Sequence, residues 1–268
     1  MIIDGKNIAE EILSDLAHER EGLQNELKLG IVMTGGDRVI DSFVRIKERL
    51  AHRLNVTLVR EELPSGATTE DAVAAVSRLA GTCNGIIVQL PLPATIETEK
   101  VLASIPPQCD VDAINPLVAD NDRLVASPVA EAVLEILSRA NLDPRGKSAI
   151  IVGEGRLVGK PVAHLLKKLG ARVSVISLTE GSRSELAYAD IIVSGAGEPG
   201  LIMPKHIKEG AVLIDAGTSE DCGKIAGDVD PTCETKASVF TPVPGGVGPI
   251  AVAMIFKNLF VLASLAKK

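Results

Sequence analysis

Few residues in this 268-residue chain have the type and placement to do chemistry. Lys47 ends the string Phe43-Val-Arg-Ile-Lys47, four residues after an aromatic side chain, so the two share a face if the segment is helical. A lysine on a helix is ordinarily solvated and charged. It becomes a base near pH 7 only where desolvation lowers its pKa. A second group is the glycine series Gly153, Gly155 and Gly159 in AIIVGEGRLVGKPVAHLL, a G-x-G-x-x-x-G pattern between an apolar run and an amphipathic one. Residues without Cβ allow a tight strand-to-helix turn and a close backbone approach to a pyrophosphate, whose charge the helix N-terminal amides attract. An ordinary tight turn would also use glycine, so the placement carries the argument. Asp110 and Asp112 in CDVDAINP, and Gly195, Gly197, Asp215 and Gly217 at the ends of apolar runs, complete the set.

The elements that must position these groups alternate. Residues 6–20 have helical spacing, LKLGIVMTG (27–35) reads as a buried strand, and Asp41–Leu54 repeats Phe43, Ile46, Leu50 and Leu54 at three or four. VTLVREEL is a second strand, and Thr69–Leu79 a helix with acidic residues in its first turn. NGIIVQLPLP (84–93) is a strand stopped by two prolines. The stretch from Ile105 to Ser127 is rich in proline and aspartate and reads as a long loop or crossing. Ser127-Pro128 then opens a helix to Ala140. A second series follows: strand 148–153, helix Lys160–Leu169, strand ARVSVIS, strands ADIIVSGAG (189–197) and EGAVLIDAG (209–217), and a short piece near Gly227. The last stretch, Pro249–Ala266, is a strongly apolar helix placed to return over the first sheet. Such alternation predicts an α/β protein with mostly parallel sheets in two parts. The boundaries expected are 1–118 with 246–268 for an N-terminal domain and 119–245 for a Rossmann-type dinucleotide-binding domain.

Composition agrees and excludes. Hydrophobic residues make up 46% but aromatic ones only 2%, so the interior is built from Ile, Leu, Val and Ala. The net charge of -7, without a basic tract, argues against nucleic acid. Cys83, Cys109, Cys222 and Cys233 are far apart and form no metal-ligating pair, so they read as reduced structural thiols. No signal peptide and no run of about 18 uninterrupted apolar residues is evident, which leaves the cytoplasm as the expected compartment and no membrane as partner.

The strand ending at Ser177, with Thr179 beyond it, lacks the Asp or Glu that usually grips the ribose 2′-hydroxyl in an NAD site. Glu154 would disfavour a 2′-phosphate, whereas Arg156 or Arg183 would favour one. The choice between NAD and NADP stays open, with a lean to NADP.

Phe43–Lys47, NGIIVQLPLP with Gln89, CDVDAINP with Asp112, the glycine turn, GKIAGDVD (223–230) and TPVPGGVGP (241–249), in that order, resemble the methylenetetrahydrofolate dehydrogenase/cyclohydrolase family. The resemblance runs from Ile3-Asp-Gly-Lys to the last helix. It implies a folate cleft between two domains, hydride transfer from 5,10-methylenetetrahydrofolate to NADP or NAD, and hydrolysis of the methenyl product to 10-formyltetrahydrofolate. It also implies a homodimer. Lys47 matches the family's central catalytic lysine, Gln89 the glutamine beside it, and Asp112 the aspartate that hydrogen-bonds the pterin. Phe43, Val88, Leu90, Pro91, Pro244, Gly245 and Gly246 match positions lining the folate. Gly153, Gly155, Arg156, Leu157, Val158, Gly159, Ser177, Thr179, Gly195, Ala196, Gly197 and Thr218 match the cofactor side. No metal is implied.

The chain departs from the family's pattern at several places. Phe43 stands where Tyr is usual, keeping the ring but losing a hydroxyl beside the lysine. Hydride transfer needs mainly alignment, cyclohydrolysis needs proton traffic. A dehydrogenase with weak or absent cyclohydrolase activity is therefore the alternative expectation. Ile40 replaces a common Ser, Ala113 and Asn115 alter a usual D-G-x-x-P, Glu154-Gly155 replaces a frequent Arg-Ser, Ile176 a frequent His and Ala251 a frequent Thr.

Overall fold

The computed structural model describes residues 1–22, 25–35, 38–177, 183–221 and 224–266. The chain divides into two compact units, one of Met1–Glu10 with Val129–Met254, the other of Glu11–Pro128 with Ile255–Lys268. In chain order the elements are α1 (Gly5–Glu21), β1 (Leu27–Thr34), α2 (Arg38–Arg53), β2 (Val56–Leu63), α3 (Thr69–Ala80), β3 (Gly85–Val88), α4 (Thr98–Ala103) and α5 (Pro128–Arg139). Then follow β4 (Ser148–Val152), α6 (Gly159–Lys168), β5 (Arg172–Ile176), β6 (Ile191–Ser194), β7 (Val212–Asp215), β8 (Ser219–Asp221), β9 (Lys224–Ala226), β10 (Val239–Phe240) and α7 (Val247–Leu265).

The unit holding Lys47 is built on a parallel three-stranded sheet in the order β2-β1-β3. β1 is buried along nearly its whole length, as the middle strand of a sheet covered on both faces must be. Its core joins Val32, Val76, Leu79, Ile86, Val101, Leu102 and Ile105. α3 starts with a capping box, in which Thr68 Oγ1 accepts from Asp71 N at 3.2 Å and the Asp71 carboxylate accepts from Thr68 N at 2.9 Å. β3, Gly85–Val88, is shorter than the expected 84–93 strand, and the Leu90-Pro91 peptide is cis. The loop expected over 105–127 contains one 3-10 turn, Pro107–Cys109.

The returning end of the chain completes this unit. Asn258 Nδ2, buried on α7, donates to the carbonyls of Val111 and Ala126, each at 2.8 Å. A Cβ on Gly85 would lie against Val111 and Leu259, so a residue without a side chain lets β3 meet this helix closely. By length and composition α7 could cross a membrane, yet 61% of it is buried inside the protein. A helix largely buried inside its own protein is the simpler account.

The other unit carries a parallel five-stranded sheet in the order β10-β7-β6-β4-β5 and the antiparallel pair β8-β9. Its core gathers Ile150, Val152, Ile192, Leu213, Ile202, Val229 and Phe240. The first ten residues belong here, unlike the expected 1–118 domain: Ile3 N donates to Phe240 O, Phe240 N to Met1 O and Gly5 N to Gly245 O, each at 2.9 Å. The N-terminus thereby satisfies the backbone of β10, which would otherwise be a bare sheet edge. The units also divide the chain at 128/129 and 254/255, ten and nine residues beyond the boundaries expected at 118/119 and 245/246.

Candidate active site

α2 places Phe43 and Lys47 one turn apart, Phe43 half-buried and Lys47 only 7% exposed. Lys47 Nζ donates to Gln89 Oε1 at 2.9 Å. Gln89 follows the last residue of β3; its backbone N–H continues the ladder to Val32 O at 2.9 Å, and its Nε2 donates to Leu90 O at 3.2 Å. The amide is thus held at both ends, with its oxygen aimed at the lysine. Burial pulls the Lys47 pKa below an ordinary lysine's, against the opposing charge of Asp112. Burial also pushes Asp112 up to about 7, with Lys47 pulling it down and Asp110 pushing it further up. An amine biased toward neutrality and a carboxyl biased toward protonation therefore act on each other, and a neutral amide holds the amine.

Asp110, named with Asp112 among the candidate chemical groups, instead caps its own loop. Its Oδ2 accepts from Ile114 N at 2.9 Å and Asn115 N at 2.8 Å, with Arg123 Nη1 at 3.9 Å. Asn115 in turn donates to Ala103 O and Ile105 O and accepts from Leu117 N, so this departure from the usual pattern has a structural role. Val88 is buried, and Leu90 lies beside the amide. A separate cavity of about 610 Å³ lies beyond β1 and β2, lined by Thr34, Glu62, Pro64, Pro93 and Ile96, and takes in none of Lys47, Gln89 or Asp112.

In the other unit, the turn from β4 to α6 brings the glycines together. Gly153 adopts φ +97°, and a Cβ there would come within 2.9 Å of Gly195 O; one on Gly159 would overlap Gly153 O. These two glycines are required by the turn itself. Gly155 is not, because nothing lies within 4 Å of where its Cβ would point. The open space at Gly155, the exposed Arg156 and Leu157, and the N-terminus of α6 with no side-chain cap lie together at this turn. Ser177 sits half-buried just past β5 and shares the lining of a small cavity with Arg183, Val152 and Ile176. Thr218 is exposed after β7, while Thr179 lies outside the described residues. Gly195, Ala196 and Gly197 follow β6, and Gly195 meets the Val158 side chain. Pro244, Gly245 and Gly246 fall in this unit, against Gly5, rather than in the one that holds Lys47. Cys83, Cys109 and Cys233 are free and buried; Cys222 lies outside the described residues. Among the described residues no group of three His, Cys, Asp or Glu is placed to hold a metal.

Beside Asp215, a further carboxylate that the sequence does not single out, Asp228, is fully buried at the carboxyl end of β6. Its signal was the Gly-Asp pair in GKIAGDVD.

A parallel sheet with a glycine turn in one unit, and a buried lysine, amide and carboxyl in the other, define a two-part α/β protein of the dinucleotide-dependent enzyme class. The catalytic-domain model of the tetrahydrofolate dehydrogenase/cyclohydrolase family matches residues 3–112, and its NAD(P)-binding-domain model matches residues 127–267. The chain belongs to that family. The bifunctional protein FolD of Methanoculleus marisnigri is 37% identical, over 99% of this chain and 97% of the relative. Among solved structures, the bifunctional FolD enzyme of Campylobacter jejuni is 30% identical with a TM-score of 0.93, covering 99% of each chain. The Trypanosoma brucei enzyme, complexed with NADP and an inhibitor, is 31% identical with a TM-score of 0.95, covering 100% of this chain and 98% of that one.

Proposed function

We propose that this protein oxidises 5,10-methylenetetrahydrofolate to the methenyl form with NAD(P) and hydrolyses that product to 10-formyltetrahydrofolate. The observation that carries the reading is the buried Lys47 held on Gln89 Oε1, in a chain whose two halves both match the family. A bound dinucleotide supplies the hydride acceptor, and the open turn at Gly155 with the N-terminus of α6 holds its pyrophosphate. Hydride loss leaves an amidinium-like cation. Burial pulls the Lys47 pKa down and so loosens the ammonium's hold on its proton, which weakens its repulsion of that cation. In hydrolysis water attacks the amidinium carbon, Lys47 takes one of its protons, and the other goes to the ring nitrogen as that nitrogen's bond to the carbon breaks. Gln89 orients the amine without adding charge, and Asp112 pairs with the N–H donors of the pterin. Phe43, Val88, Leu90 and Pro91 supply apolar surface for the folate in this reading.

NADP is the preferred cofactor in this reading. Ser177 puts no carboxylate at the end of β5, and the Arg183 cation shares its cavity. Three buried free thiols suit a reducing compartment, the cytoplasm, and the edge strand β5, with Val175 38% exposed, offers surface for a homodimer. One observation favours a second reading, a dehydrogenase with little cyclohydrolase activity: the ring beside Lys47 is Phe43, which has no hydroxyl. Incubating the protein with 5,10-methylenetetrahydrofolate and NADP, then NAD, and recording methenyl formation and decay separately tests both. Formation with decay above the spontaneous rate is the expected result, faster with NADP. Formation without accelerated decay leaves the second reading, and no formation with either dinucleotide overturns the proposal.

A further inference from the structure

The loop after β6, Gly195–Glu198, abuts the glycine turn and lies at the carboxyl end of the strand next to β4. In a sheet of this order the adenosine half of a dinucleotide lies over β5, so the nicotinamide half extends over β6 and β7. What gives this loop its shape is Asp228. One carboxylate oxygen accepts from Ser194 Oγ at 2.6 Å and from Ala196 N at 2.7 Å; the other accepts from Glu198 N at 2.8 Å. The residues on both sides of Gly197 are therefore tied to one buried carboxylate. Gly197 forms the apex, with φ +72° and nothing within 4 Å of where a Cβ would point.

Asp215, at the end of β7, interlocks with Asp228. It accepts from Gly217 N and Val229 N, each at 2.9 Å, and its own N–H donates to Thr241 Oγ1 at 2.6 Å. A Cβ on Gly217 would overlap the Asp228 carboxylate, and one on Gly227 would overlap Asp215. Each aspartate thus fills the space that a glycine beside the other leaves open.

We infer that Asp228 is a positioning residue for the nicotinamide end of the cofactor, acting through the backbone of Gly195–Glu198. This rests on the proposed dinucleotide-dependent function. Asp228→Asn keeps the size but turns an NH₂ toward at least one of the three donors, because an amide has a single acceptor oxygen. In the folded variant without cofactor, amide hydrogen exchange at Ala196 or Glu198 should speed up relative to wild type. The dissociation constant for NADP and its KM should both rise about tenfold, the scale of one lost hydrogen bond to a charged group, and the ratio of dehydrogenase to cyclohydrolase turnover should fall. Ser194→Ala, which removes one donor and leaves the carboxylate, should give a smaller change in the same direction. Wild-type NADP affinity in Asp228→Asn, or an equal loss of both activities in the folded protein, overturns the inference. Should Asp228→Asn not fold, unchanged exchange and NADP affinity in Ser194→Ala overturn it. Failure of the wild type to bind any dinucleotide would instead sink the functional reading.

Discussion

At the scale of single residues, the cluster around Lys47 is arranged at a cost in stability. Asp112 holds its proton up to about 7, against 3.8 for the free group, so between those values the folded chain binds more protons than the unfolded one. Stability attributable to Asp112 therefore falls as pH rises from about 4 to 7 and stays reduced above. Asp112→Asn is expected to raise stability at pH 8 and to leave it unchanged near pH 3.5. The span from 3.8 to about 7 sets a ceiling of about 4 kcal/mol, and the gain should be about half of that because Lys47 loses the charge that supports its ammonium. Urea titrations of both proteins at the two pH values check this; equal midpoints at pH 8 would show that the carboxyl carries no such burden. Phe43 gives the companion prediction for activity. Restoring a hydroxyl one turn from Lys47 in Phe43→Tyr should raise the cyclohydrolase rate by about tenfold, the worth of one hydrogen bond to a charged group, and change hydride transfer little. An unchanged hydrolysis rate, measured on preformed methenyltetrahydrofolate, would remove Phe43 from any account of weak cyclohydrolase activity.

At the scale of elements, Ala113 shows what a departure from the family's pattern does to a loop. It adopts φ +52°, a left-handed conformation costly for a residue with a Cβ, between the capping Asp110 and the buried Asn115. Ala113→Gly should stabilise the protein by about 1 kcal/mol, visible as a raised Tm without a change in the denaturant m-value; a lowered Tm would mean that chain entropy outweighs the strain. The strands and helices themselves were legible, because runs such as GIVM and AIIV or the Phe43, Ile46, Leu50, Leu54 spacing record burial in local order. Lys47 and Gln89 were legible for another reason: each lies inside a continuous string that resembles a known family. The partnership of Asp228 with the β6 loop was not. Its three donors lie 30 to 34 positions away, and two of them are backbone amides, which every residue other than proline carries.

At the scale of the whole molecule, each unit is completed by a distant end of the chain. The 1–10 segment supplies hydrogen bonds to Phe240 and Gly245, while the 255–268 segment supplies the fully buried Phe256, Leu259 and Phe260 to the unit that holds Lys47. Neither unit is therefore a continuous piece of sequence, and cutting at the unit boundaries removes core as well as linker. Residues 11–128 expressed alone lack those apolar side chains and leave the carbonyls of Val111 and Ala126 without the Asn258 amide. Losing the burial of two Phe and one Leu costs several kcal/mol, about 6 on ordinary side-chain values, which is comparable to the whole stability of a domain. The fragment is expected to show neither a cooperative thermal transition nor slow amide exchange in β1, and adding residues 255–268 through a flexible linker should restore both. Cooperative melting of 11–128 by itself, near the Tm of the full chain, would show that the returning helix is an addition to this unit rather than part of its core.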